Sequence, residues 1–203
     1  DGVKVETYNI KIDEDHILRK YSDFIVNGNK LYAVPFGQNG HLNKVLIFDT
    51  DTLTYELDAL DIPVFFKKYN CGVLVGDTIV ALPYGHKGQE ISNYGLVYNC
   101  KTREYKSFNV GDSLGFGGKY RFRSGIEYNG YAIFFPSGTP AAPLIVLDTN
   151  GNTIHRSYYE NYVLGRPIKY QDKLWTIAYH IETKEHFLMT IDRNFIAEFI
   201  PIP

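Results

Sequence analysis

Apolar and polar residues along this chain change places every one or two positions, in short runs that stop at Gly, Pro, Asn or Asp. The stretch "LYAVPFGQNGHLNKVLIFDTDTLTYEL", residues 31–57, shows it: an apolar run, a loop of Gly, Asn and His, a second run, a tight turn, a third. Nowhere do apolar residues fall at i, i+3, i+4 and i+7 over three helical turns, so the pattern predicts strands throughout. The same arrangement returns as "IVALPYGHKGQEISNYGLVYNCKTREYKSF" at 79–108.

Four copies align, at intervals of roughly 45 to 50 residues. One column holds Asp49, Asn99, Asp148 and Asp192 in the turn after the second apolar run. Another holds Pro35, Pro83, Pro136 and Ala178, and two upstream columns hold Tyr21, Tyr69, Phe122, Leu164 and Ile25, Val73, Ile126, Ile168. The Asp or Asn suits a tight turn because its side chain accepts from the backbone two residues on, and Gly151 stands where positive φ is wanted. Each copy therefore reads as a four-stranded meander, with approximate bounds 19–60, 64–110, 118–160 and 163–203.

A four-stranded repeat of this length cannot bury both faces alone; serial repetition lets neighbours cover one another. In period and layout the chain resembles the β-propeller superfamily over nearly its whole length. The resemblance implies an all-β fold, a small β-propeller of four visible four-stranded blades within a single domain, 1–203. The paired glycines of kelch blades and the Trp-Asp ending of WD blades are absent, Trp175 being the one Trp, and no hemopexin pattern is visible, so no family's ion sites carry over. Residues 3–12, "VKVETYNIKI", alternate like an outer strand. They are expected to close the rim, removing an open edge, or to be the remnant of a further blade. The start at Asp1 suggests a chain processed or excised from a longer product, and compartment is left open.

Composition reinforces this reading: 17 Tyr and 13 Phe against one Met favour strands. A net charge of −2 provides no global field for nucleic acid or an anionic membrane, and no apolar run approaches the roughly 20 residues that cross a bilayer. No nucleic-acid or membrane partner is expected. Cys71 and Cys100 belong to one blade but to opposite ends of its sheet, beyond the roughly 7 Å a disulfide spans, and are expected to be free.

Motifs for chemistry are thin. "DTDTLTYE" at 49–56 lacks the Gly and Glu of a calcium loop and reads as a hairpin turn. His180, Glu182 and His186 are zinc-type donors but lie in a loop without a defined further ligand, so no metal and no cofactor are expected. There is no G-x-S-x-G; Ser124-Gly125 and Ser137-Gly138 read as strand and loop. An enzyme, most plausibly a carbohydrate-active one using inner-strand carboxylates, would draw on Asp23, Glu127 or Glu182, but Asp23 and Glu127 occupy different columns.

One constellation recurs. Just before each inner strand stand Lys20, Lys68, Arg121 and Val163, with Arg123 and Arg166 close by. The long loops between second and third strands, bearing His41 and His86, lie at the same end, and variable loops on a rigid scaffold commonly carry binding. The expected function is a non-enzymatic recognition or assembly module, presenting this basic mouth to a protein or to an anionic or carbohydrate partner. A structural place in a larger particle, such as a phage virion or a secreted surface complex, fits the same reading. The competing interpretation is that these cations are solvated strand ends that keep edges from pairing.

Overall fold

The structure, a computed structural model, describes residues 6–12, 17–63, 67–84, 93–110, 122–136 and 143–202. Its elements are strands, with no helix among the described residues. The first blade is β1 (Ile25–Asn27), β2 (Lys30–Ala33), β3 (Lys44–Asp49) and β4 (Thr54–Ala59). The second is β5 (Tyr69–Val75), β6 (Thr78–Pro83), β7 (Tyr94–Asn99) and β8 (Tyr105–Asn109), and the third is β9 (Phe122–Tyr128), β10 (Tyr131–Pro136), β11 (Leu144–Leu147) and β12 (Thr153–Ser157). The fourth comprises β13 (Tyr162–Leu164), β14 (Ile168–Tyr170), β15 (Lys173–His180), β16 (His186–Ile191) and β17 (Ala197–Pro201).

Each sheet is an antiparallel meander in chain order. The fourth has five strands because its inner strand is split: β13 and β14 both pair with β15. Pro167 sits in the break, where a residue without an N–H cannot continue the ladder. The repeat columns face one another across the first ladder of every blade: Tyr21 with Pro35, Tyr69 with Pro83, Phe122 with Pro136 and Leu164 with Ala178. All four turn residues act as expected. Asp49 Oδ1 accepts from the N–H of Asp51 and Thr52, Asn99 from Lys101 and Thr102, Asp148 from Asn150 and Asn152, and Asp192 from Asn194 and Ile196. Gly151 has the positive φ its turn requires, +79°.

Blades stack face to face through three successive cores. Ile25, Tyr32 and Ile47 of the first blade meet Ile79, Leu96 and Tyr98 of the second. Val73, Val80 and Leu82 on the reverse of the second meet Phe122, Phe134 and Ile145 of the third. Ile133, Phe135 and Val146 on the reverse of the third meet Leu164, Leu174 and Met189 of the fourth. Polar ties accompany the apolar ones: the Tyr98 hydroxyl donates to Asp58, and Arg103 pairs with Glu56 at 2.6 Å and with Asp58 at 3.2 Å. Both cysteines are buried and free, Cys71 in the second core and Cys100 in the first.

Residues 6–12 join no sheet and lie across the outward face of the first blade. Tyr8 packs its ring 5.4 Å from Phe48, and Ile12 and Ile10 join a small core with Leu42 and Leu57. The Lys11 N–H donates to the Tyr55 hydroxyl at 3.1 Å, just as Asp61 N–H donates to Tyr105 at 2.8 Å between the first two blades. This segment thus stands where the tail of a preceding blade would stand, and it does not pair with β17 to close a rim. Among the described residues no core joins the fourth blade to the first.

Candidate functional site

The inner strands start at one end of the stack, and a chain of hydrogen bonds joins three of them there. Ser22 Oγ, ahead of β1, donates to Asn70 Oδ1 of β5 at 2.7 Å. Asn70 Nδ2 donates to the Arg123 carbonyl of β9 at 3.3 Å. These three residues each follow the aromatic column of their blade (Tyr21, Tyr69, Phe122), so one repeat position generates the belt. The next position holds Asp23, Cys71, Ser124 and Arg166. Burial, then the Asp23 carboxylate, pushes the Cys71 thiol up to about 12, while the Arg166 guanidinium works against them. One thiol on the second blade therefore senses charges from the first and the fourth.

The loop after β2 locks this end together. Lys20 O accepts from the N–H of Phe36 and Gly37, Phe36 O accepts from Lys68 N–H, and Lys68 O accepts from Tyr84 N–H. The Phe36 and Tyr84 rings sit 5.9 Å apart between the cations: the Arg19 guanidinium lies 5.1 Å from the Phe36 ring, and that of Arg123 lies 6.0 Å from the Tyr84 ring. Arg123 Nε also donates to Tyr84 Oη at 3.2 Å, and Arg19 to Ser22 Oγ at 3.0 Å. An arginine laid on an aromatic face and held by a hydrogen bond is oriented at little entropic cost.

The sequence-predicted cations separate into groups. Arg123 and Arg166 are exposed at this end, as is His41 on the loop between β2 and β3. Lys20 is half-buried, its ammonium donating to the Ile17 carbonyl at 3.1 Å. Lys68 is not on the mouth's surface: it is fully buried, and desolvation pulls its ammonium down to about 8. Its column marks the chain's entry to the inner strand, and in the second blade that entry is covered by the first blade's loop. Arg121 and His86 lie outside the described residues. Arg19, Ser22 and Asn70 were missed by residue type; the position after the aromatic column was the available signal.

The other candidates do not converge. Asp23 is exposed at the start of the inner-strand layer, whereas Glu127 stands near the far end of β9, accepting from Gly130 N–H at 2.9 Å and 3.6 Å from Lys169. Glu182 is exposed in the β15–β16 turn. His186 pairs with Tyr179, so His180, the next residue along β15, faces the opposite side of the sheet. His180 Nδ1 accepts from Thr183 N–H at 3.1 Å. At the short-turn end, Asn99, Tyr105, Lys106 and Asn150 line a shallow, open polar cleft between the second and third blades.

No protein-family model matches the chain, and no curated protein matches its sequence. Solved structures do match its fold. The chain is similar to hydrazine synthase of Kuenenia stuttgartiensis, with TM-score 0.63 and 14% identity over 98% of this chain and 53% of that one. It is also similar to a quinonprotein alcohol dehydrogenase-like protein of Bacteroides thetaiotaomicron, with TM-score 0.56 and 12% identity over 88% and 45%. U3-55K aligns with TM-score 0.54 and 6% identity over 85% and 54%. The chain has a β-propeller fold and spans about half the length of these structures.

Proposed function

We propose that this chain is a non-enzymatic recognition module that takes a carboxylate-rich segment of an acidic protein partner at its inner-strand end. The observation that supports it is the Ser22–Asn70–Arg123 belt, which gathers Arg19, Arg123 and Arg166 from three blades to one end of the stack. Arginine matches a carboxylate in shape as well as charge. Asp23 in the same layer makes the mouth mixed and so selects where an acidic chain sits. The wide separation of Asp23 and Glu127 along the inner strands speaks against the carbohydrate-active reading, which needs two carboxyls within about 5 to 10 Å.

The test is a labelled hexaglutamate peptide titrated by fluorescence anisotropy at several salt concentrations. Binding should weaken with salt, because surface charges are screened beyond about 8 Å at physiological ionic strength. Arg123→Glu with Arg166→Glu should weaken it by roughly tenfold or more, about 1.4 kcal/mol. Thr102→Ala with Asn150→Ala, at the short-turn end, should leave it unchanged. Equal loss in both pairs, or binding insensitive to salt, refutes the assignment.

A further inference from the structure

The fourth blade carries the same outward-facing apolar columns as the others, but nothing covers them. Ile25, Val73 and Ile126 each pack against the following blade, and the fourth member, Ile168, is 63% exposed. Val34, Leu82 and Phe135 are 3%, 0% and 0% exposed, and their counterpart Ile177 is 55% exposed. Cross-strand pairing puts Ile168 with Trp175 and puts Ile177, Leu188 and Ile200 in one row, so the exposed residues share one side of the sheet. Tyr170 pairs with Lys173 on that side and is 59% exposed.

We infer that this face is a dimer interface, occupied by the same face of a second copy of the chain. Its chemistry suits burial. The Trp175 indole N–H already donates to Tyr170 O at 3.2 Å, and the charges at its end, Lys173 and Glu198, neutralise each other at 3.3 Å. A face four strands wide at about 4.8 Å and eight residues long at about 3.3 Å each covers about 500 Å². Two such faces together approach the roughly 1,000 Å² a specific interface requires.

The opposite end of the stack explains why like meets like. Tyr8, Ile10 and Ile12 lie over the outward face of the first blade and leave only Phe24 and Val26 of its inner-strand region exposed. Head-to-tail stacking would have to strip that cover. Two fourth blades can meet without displacing anything, and a two-fold contact of this kind closes at two copies.

Sedimentation equilibrium of the whole chain up to high micromolar concentration tests this, with circular dichroism confirming the fold of each variant. The chain should sediment at twice 23.3 kDa. Ile168→Lys with Ile177→Lys should be monomeric with an unchanged β spectrum, since both side chains are exposed already, and Val26→Lys should remain dimeric. A wild-type monomer throughout the range overturns the inference. So does a dimer that survives the Ile168/Ile177 pair, or one that Val26→Lys dissociates, which would indicate head-to-tail stacking.

Discussion

A Cβ placed on Gly125 of β9 would stand 2.4 Å from Val73 Cγ2 of β5. The same device recurs one blade earlier, where a Cβ on Gly72 would stand 2.6 Å from Ile25 Cδ1. Inner strands of successive blades come so near each other around the axis that the side chain of one needs a glycine on the next.

Gly125→Ala should therefore destabilise the protein although alanine is the better residue by intrinsic preference. Val73 is β-branched and stiff at χ1, and cannot swing away cheaply. Overpacking of this size costs about 1–3 kcal/mol, read as a lower urea midpoint at unchanged slope. Pairing it with Val73→Ala should restore part of the loss, and failure of that rescue would show that the strain lies elsewhere.

The turn carboxylate Asp49 gives an acid-side prediction. Hydrogen bonds from the Thr52 backbone, then from Asp51, hold its carboxyl below the usual value. A depressed folded pKa contributes stability above the unfolded value, near pH 4, and loses it as pH falls through the folded value. Asp49→Asn keeps the acceptor, as Asn99 does natively in the second blade, but cannot titrate. Thermal melts should converge between wild type and variant as pH falls from about 5 to about 2, whereas Asp49→Ala should lose about 1 kcal/mol even at neutral pH.

Lys68 gives the alkaline counterpart. Burial lowers its folded pKa to about 8 from an ordinary 10.5, so between those values the unfolded chain holds more protons and stability contributed by this group rises with pH. Below about 8 both states are charged and the contribution is flat. Cys71, pushed up to about 12 by burial, acts oppositely above about 9, so the difference between wild type and Lys68→Met isolates the lysine. That difference should change with pH from about 8 to 10.5 by of order 1–3 kcal/mol. A difference constant across this range would place the ammonium in water.

Much of this architecture is local and hence legible. Strand period, turn residues and repeat columns are set by a few neighbouring residues, so Asp49, Asn99, Asp148 and Asp192 announce their turns, and Tyr69 and Pro83 their pairing, without reference to the rest of the chain. The site was legible by column more than by charge: Ser22, Asn70 and Arg123 share one repeat position, whereas the basic column mixed half-buried Lys20 with fully buried Lys68.

Burial was what the sequence by itself could not determine. Lys20 and Lys68 have the same chemistry at the same repeat position, but the first blade's loop lies over only the second of them. Ile25, Val73, Ile126 and Ile168 likewise occupy one column, and only the stacking of blades decides that three are covered while Ile168 stands open. A side chain's type and strand position come from the chain near it; its solvent exposure and its pKa come from groups some fifty residues away, which only the tertiary packing brings against it.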